Sequence, residues 1–214
     1  MIIKEVPYNM KNTKICGRFA PTPSGRIHLG NIFCSLLAWL HAKSQGGEIV
    51  LRIEDLDKVR CPRPNADLLA KDLEWLGLTW DRGAYLSPDS ERYFQSQRFD
   101  IYAEYFDKLE AQDLIYPGFC SRGQLHAAEA PHLSDGRILY AGTCKNLTSA
   151  ERLERAKTRQ PAYRLAVNNE PISFIDGNYG EQSYNLIEES GDFIVRRSDG
   201  VYAYQLAVTI DDAL

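Results

Sequence analysis

An arginine, a histidine and several glycines punctuate the stretch Gly17-Arg-Phe-Ala-Pro-Thr-Pro-Ser-Gly25-Arg-Ile-His28-Leu-Gly30-Asn31, and their spacing suits the binding of an anion. The stretch leaves a short apolar run, turns through two prolines and a glycine, and enters a helical pattern. In an open parallel sheet, ligands bind beyond the carboxyl ends of the strands. The first turn of a helix offers free amides and the positive end of a dipole, both suited to phosphate. Gly25 and Gly30 let backbone approach a ligand with no Cβ in the way. His28 is a donor that could meet phosphate oxygens as charge builds up in a transition state. There is no Walker loop and no G-x-G-x-x-G, so phosphate binding would fall to the histidine and the helix end. A lone histidine near a helix start is more often structural; the arrangement is more specific than its parts.

The elements that must position these residues follow from the pattern. Ile15 to Phe19 reads as a buried strand, Ile32 to Lys43 as an apolar helix closed by Gly46-Gly47, and Ile49 to Ile53 as a second strand with little alternation. Strand, helix and strand in this order make a βαβ unit, hence a parallel sheet with a right-handed crossover. A helix is predicted over Asn65 to Leu76, with Asn65 as N-cap and Gly77 beyond its end. Another is predicted from about Ser96 to Ala111, with Phe99, Tyr102, Phe106 and Leu109 on one side. Tyr116 to Leu147 has little periodicity and looks like an insertion. Thr148 and Glu151 have the spacing of a capping box. From Ala162 the pattern turns to strands, and Ser198-Asp199-Gly200 reads as the turn of a hairpin joining Phe193–Arg197 to Val201–Val208.

Length and composition bound the class. The 214 residues are 44% hydrophobic and 25% charged, as in an ordinary globular protein. No run approaches the ~20 apolar residues of a membrane helix, and Met1 to Lys14 lacks the apolar core of a secretory signal, so a cytoplasmic protein with no membrane partner is expected. Five cysteines at irregular spacing argue against a disulfide framework. Cys16 and Cys34 lie in apolar runs and read as buried hydrophobes; Cys61 carries no signal. A net charge of −4 argues against general affinity for nucleic acid. Arg152, Arg155, Lys157, Arg159, Arg164, Arg196 and Arg197 cluster in the last third, either as a local basic face or as a solvated helix face and hairpin tip.

Three blocks carry a resemblance. Arg18-Phe-Ala-Pro-Thr-Pro-Ser-Gly with His28-Leu-Gly-Asn31 resembles the first signature of glutamyl- and glutaminyl-type class I aminoacyl-tRNA synthetases. Leu51-Arg-Ile-Glu54-Asp55-Leu-Asp57 is similar to their second strand and its acidic exit, and Asp199-Gly-Val-Tyr-Ala-Tyr204-Gln-Leu-Ala-Val208 with Asp211-Asp212 to a third block. Within that group, Arg196 to Val208, Tyr140-Ala-Gly-Thr-Cys144-Lys-Asn-Leu and Gln160-Pro-Ala-Tyr-Arg look closest to the glutamyl-queuosine tRNA(Asp) synthetases.

The resemblance implies an α/β fold: a Rossmann-like catalytic domain with a parallel sheet and an inserted α/β acceptor-type subdomain that could bind zinc. The expected divisions are residues 1–115 and 191–214 for the catalytic domain and 116–190 for the insertion. It implies that Arg18, Phe19, Ala20, Pro21 and Thr22 line a glutamate pocket, with Arg18 on a carboxylate. Glu54 would hold the α-ammonium group and Tyr204 would contact the amino acid from the far side. His28, Gly30 and Asn31 would contact ATP, with His28 and Asn31 as the catalytic pair and Mg²⁺ as the partner of ATP. Read without the resemblance, Arg18 and Glu54 could be a structural ion pair, and Tyr204 a cross-strand packing residue.

The implied activity is ATP-dependent formation of glutamyl-adenylate, then transfer of glutamate to queuosine in the anticodon stem-loop of tRNA(Asp), by a monomer. In this family zinc is held by a Cys-x-Cys pair and a Tyr-x₃-Cys pair. Here Tyr140 and Cys144 match the second pair, but the first reads Gly118-Phe119-Cys120. A closed structural site takes four ligands. Either His126 or His132 completes Cys120, Tyr140 and Cys144, or the two cysteines are free thiols, a disulfide being disfavoured in a reducing cytosol. Family members continue past the equivalent of Leu214 with a further arginine and a loop resembling Lys-Met-Ser-Lys-Ser. The expectation is either a truncated form or a naturally short product. The alternatives are a catalytic fragment of a glutamyl-tRNA synthetase, or a non-catalytic remnant that binds glutamate and ATP.

Overall fold

The structure, a computed structural model, describes residues 14–86, 88–121, 139–140 and 142–214. The chain forms two compact units, one up to Arg98 and one from Phe99 to Leu214.

The first unit is built on a parallel three-stranded sheet in the order β1 (Cys16–Phe19), β2 (Glu48–Leu51), β3 (Arg82–Gly83). Cys16 pairs with Glu48 and Phe19 with Leu51. Helix α1 (Leu29–Ser44) is the crossover between β1 and β2, as the sequence pattern required. It ends in a Schellman motif: Gly46 is left-handed at φ 68°, its N–H donates to Lys43 O, and Gly47 N–H donates to Ala42 O. Gly47 then passes so close to its neighbours that a Cβ would lie 2.5 Å from Ile15 O and 2.8 Å from Ala42 O. Both are backbone atoms that cannot swing aside. Gly47→Ala should therefore lower stability by about 2–3 kcal/mol, read as a shift in the denaturation midpoint, whereas Gly25→Ala, with nothing within 4 Å of its Cβ, should not.

Helix α2 (Arg63–Trp75) begins two residues before the expected start. Pro62 rather than Asn65 is its N-cap, and Pro64 sits in the first turn, where a missing N–H costs nothing. Asn65 instead donates from Nδ2 to Pro23 O at 3.2 Å. Phe19, Ile49, Leu51, Ile53, Leu69, Leu73, Trp80 and Phe94 form the core of this unit. One face of α1 stays open: Leu29, Phe33, Leu37 and Leu40 are each about half exposed or more.

The second unit holds helix α3 (Phe99–Glu110) and an antiparallel sheet in the order β4 (Ile115–Gly118), β5 (Ala162–Leu165), β8 (Ile194–Arg196). A separate hairpin pairs β6 (Ile172–Asp176) with β7 (Gly180–Tyr184). Helix α4 (Ser149–Ala156) opens with the expected capping box: Thr148 Oγ1 accepts from Glu151 N–H, and the Glu151 carboxylate accepts from Thr148 N–H. A short helix, α5 (Leu186–Glu189), precedes β8.

The expected strand Val201–Val208 is not one. The turn at Ser198–Gly200 carries only an isolated antiparallel bridge, Arg196 to Tyr202, after which α6 (Tyr204–Ala213) is helical. Leu206, Ala207 and Ile210 are buried, a one-sided helical spacing. A short apolar run does not distinguish strand from helix by composition alone.

Candidate functional site

The signature loop between β1 and α1 is held by its surroundings. Arg52 N–H donates to Phe19 O at 2.9 Å and Glu54 N–H to Pro21 O at 3.1 Å, so the exit of β2 is clipped to the exit of β1. From the other side, α2 supports the loop through Asn65 to Pro23 O and through an ion pair of Arg26 with Asp72 at 2.9 Å. Neither Asn65 nor Asp72 was singled out by the sequence as a supporting residue.

At the carboxyl end of β1 a depression is lined by Arg18, Phe19, Ala20, Pro21, Asn31, Cys34 and Ser35. Five of these are expected site residues. Cys34 and Ser35 were missed, although they lie three and four residues after Asn31, on its face of the helix. Both Cys34 and Cys16 are exposed rather than buried, because the apolar runs that contain them are not fully covered. Cys61 and Cys144 are buried. A thiol reagent such as Ellman's reagent should therefore react rapidly with Cys16 and Cys34 in the native protein, and with Cys61 and Cys144 only after unfolding.

His28 is the N-cap residue of α1 and makes no side-chain cap bond. Its imidazole is exposed at the positive end of the helix dipole, and the first turn has no acidic residue to oppose an anion. A Cβ on Gly30 would come within 3.3 Å of the His28 ring, so the glycine leaves room for that rotamer. Thr22 is exposed on the loop and Asn31 is in the first turn of α1.

Glu54 is buried just past β2 and forms an ion pair with Arg52, whose Nη2 donates to Oε1 at 2.9 Å. The two residues are two apart on extended chain and so share a side. The neighbouring carboxylate, Asp55, accepts from Ser96 N–H at 2.9 Å and Ser96 Oγ at 2.7 Å. Tyr204, in the second unit, opens α6 and is 52% exposed.

In the second unit, Cys120, Tyr140 and Cys144 come together. The two sulfurs are 3.5 Å apart and Cys120 Sγ is 3.8 Å from Tyr140 Oη. Phe119 N–H donates to Cys144 Sγ at 3.3 Å, and Cys144 N–H donates to Tyr140 Oη at 2.9 Å. Burial raises the Cys120 thiol and the Tyr140 phenol above their usual ranges. Burial also pushes on Cys144, but its hydrogen bonds outweigh that effect and hold its thiol below the ordinary value. Three donors do not close a structural zinc site. Gly118 contributes no side chain, and His126 and His132 lie outside the described residues. Among the described residues, no group of three His, Cys, Asp or Glu side chains could hold a metal ion.

The basic residues of the last third do not act alike. Arg164 is buried, and Arg196 lies against the rings of Phe106 and Tyr202 at 5.4 and 5.6 Å. Arg197 pairs with Asp199 and Lys157 with Glu154. Among the described residues no helix is long and apolar enough to cross a membrane.

The chain is similar to known proteins. Residues 14–214 match the family described as tRNA synthetases class I (E and Q), catalytic domain. The chain is 47% identical over 203 residues to the glutamyl-Q tRNA(Asp) synthetase of Symbiobacterium thermophilum, covering 94% of this chain and 62% of that protein. It is 41% identical over 208 residues to glutamate–tRNA ligase 2 of Alkalilimnicola ehrlichii, covering 96% of this chain and 43% of that protein. A crystal structure of a glutamate tRNA ligase from Elizabethkingia meningosepticum, in complex with its amino acid, superposes with a TM-score of 0.72 at 29% identity, over 94% of this chain and 42% of that one. The chain thus spans less than two thirds of these relatives. With a matched profile across nearly its whole length, and a parallel βαβ unit carrying the signature loop, it belongs to the class I glutamyl- and glutaminyl-type tRNA synthetase catalytic-domain family.

Proposed function

We propose that the chain carries the glutamate-activating site of a glutamyl-queuosine tRNA(Asp) synthetase. The observation that carries this reading is the depression at the end of β1, which gathers Arg18, Phe19, Ala20, Pro21 and Asn31 next to the N-terminus of α1. The names of the relatives at 47% and 44% identity support the queuosine branch. In the reaction, a carboxylate oxygen of L-glutamate attacks the α-phosphorus of ATP, and pyrophosphate leaves with the electron pair of the broken P–O bond. Arg18 offers a two-pronged guanidinium to the other carboxylate. Glu54 accepts the α-ammonium group, Tyr204 is assigned to the amino acid by the family's third block, and Thr22 adds a hydroxyl donor. His28, Gly30 and Asn31 meet the phosphates at the helix end, where fixed donors favour the charge that develops as pyrophosphate departs. Mg²⁺ accompanies ATP and neutralises part of its phosphate charge.

The glutamyl group is then transferred to a hydroxyl of the cyclopentene ring of queuosine in the anticodon loop of tRNA(Asp). In this reading residues 116–190 are an insertion within the catalytic domain, residues 191–214 return to it, and the protein acts as a cytoplasmic monomer. Zinc is given no step in this reading: Cys120, Tyr140 and Cys144 supply three donors and Gly118 none.

The 41% relative supports a second reading, the catalytic part of a glutamate–tRNA ligase. Glutamate-dependent exchange of pyrophosphate into ATP separates the two, measured on the 214-residue chain and on a chain extended with the remaining part of the Symbiobacterium relative. Exchange without tRNA, followed by glutamate transfer to queuosine-containing tRNA(Asp), is the expected result. Exchange that requires tRNA(Glu) would favour the ligase. Absence of glutamate binding by calorimetry in both chains would remove the pocket assignment.

A further inference from the structure

Cys120 and Cys144 bring their sulfurs to 3.5 Å in a part of the second unit that the activation chemistry does not use. Gly118, where the family has a third thiol, is not empty space. A Cβ there would lie 3.3 Å from Arg164 Nε and 3.4 Å from its Cδ. The Arg164 guanidinium lies over the ring of Tyr140, 3.7 Å from its centroid, and Nη1 donates to Asp192 O at 2.7 Å. Arg164 is buried, so this charge is only weakly screened by solvent. A permanent cation therefore lies beside the position a Gly118 side chain would take, against the ring of Tyr140. A divalent metal placed there would meet that charge at close range and in low dielectric.

Hydrogen bonds already tie Phe119, Tyr140 and Cys144 to one another. Tyr140 Oη accepts from Cys144 N–H, and Cys144 Sγ accepts from Phe119 N–H. Asp192 anchors the same region from below. Its carboxylate accepts from Tyr116 Oη at 2.6 Å and from Val167 N–H at 2.8 Å. Tyr116, Phe119, Tyr140 and Cys144 form a buried cluster around these bonds.

We propose that this knuckle is metal-free, braced by Arg164 in place of a metal, and that Cys120 and Cys144 are an oxidisable pair closed into a disulfide by a hydroperoxide. Cys120 is half-buried and can meet the oxidant, whereas Cys144 is fully buried and acts as the resolving thiol. The Cys120 sulfur attacks a peroxide oxygen and breaks the O–O bond, leaving a sulfenic acid and one water. The Cys144 sulfur then displaces the second oxygen as water, forming the S–S bond. In sum two thiols lose two electrons and two protons, and hydrogen peroxide is reduced to two waters. The sulfurs must approach from contact distance to about 2.05 Å.

The proposal does not depend on which aminoacyl reaction the chain serves, and its test needs no aminoacylation. The 214-residue chain is produced in zinc-supplemented medium, purified with a thiol reductant and no chelator, and analysed for metal by mass spectrometry. Zinc well below one equivalent is expected; zinc at one equivalent overturns the metal-free knuckle. The reduced protein is then treated with hydrogen peroxide, blocked with N-ethylmaleimide and digested. The expected product joins the peptides of Cys120 and Cys144 with the loss of two hydrogens, and Cys120→Ser abolishes it while Cys16 and Cys34 react as before. Cys120 recovered as sulfinic acid, or joined to another cysteine, overturns the pairing. Finally, Gly118→Cys is expected to acquire zinc only when combined with Arg164→Ala. Stoichiometric zinc in Gly118→Cys with Arg164 intact would overturn the role given to the arginine.

Discussion

Glu54→Ala is expected to abolish glutamate binding and, at the same time, to lower stability by about 3–5 kcal/mol. The second effect follows from burial. The Arg52 and Glu54 side chains are 7% and 5% exposed and meet at 2.9 Å. Removing the carboxylate takes away one charge that the buried Arg52 guanidinium meets, and breaking a buried pair from one side costs far more than replacing both partners. Loss of binding alone would therefore be an ambiguous result, and the double variant Arg52→Met/Glu54→Leu resolves it. Replacing both charges with apolar side chains of similar volume should recover most of the stability, but not glutamate affinity, because no carboxylate remains for the α-ammonium group. Denaturant unfolding measures the first property and calorimetry the second. Glutamate affinity unchanged in the folded double variant would take Glu54 out of the pocket.

Arg18→Ala should behave in the opposite way, with a large loss of affinity and almost none of stability. Arg18 is exposed at the end of β1 and lines the depression, so its removal opens no cavity in the core. Two charge-assisted hydrogen bonds to a carboxylate would be lost, a change of about 3 kcal/mol or roughly a hundredfold in Kd. Arg18→Lys keeps the charge but not the planar fork, and an intermediate affinity is expected. An unchanged melting temperature with the hundredfold loss would assign Arg18 to ligand binding; a fall in stability without a change in affinity would assign it to the fold. On these expected outcomes the two arginines at neighbouring strand ends separate into one that faces ligand and one that holds the residue beside it.

The division between what could be read and what could not has physical causes. The βαβ unit was legible because its signals are local: a short apolar run, a loop broken by Pro21, Pro23 and Gly25, an apolar helix, and the glycines that end it. The Thr148–Glu151 capping box was legible for the same reason, since both of its hydrogen bonds lie within four residues. Other features were present in the sequence as periodicities and went unread. Residues two apart on extended chain share a side, which points to the ion pair of Glu54 with Arg52. Cys34 and Ser35 follow Asn31 by one helical turn and so belong with it in the depression.

The remainder was decided by tertiary contacts. Tyr204 to Ile210 is apolar enough for strand or helix, and packing of Leu206, Ala207 and Ile210 into the second unit selects helix. Asn65 has the chemistry of an N-cap, but Pro62 takes that place and the Asn65 amide turns to Pro23 O, a partner 42 residues away. Cys16 and Cys34 sit in apolar sequence yet remain exposed, since exposure depends on what covers a surface and not on the residues beside it. The Arg164 side chain, far from Gly118 along the sequence, comes within 3.3 Å of where a Cβ on Gly118 would stand. The sequence by itself determined the family and the βαβ unit, and it named the residues proposed to bind glutamate and phosphate, because motif and periodicity act over short separations. Which partner each buried charge meets, and what stands in for an absent ligand, only the folded chain decided, because those contacts join residues that no local pattern connects.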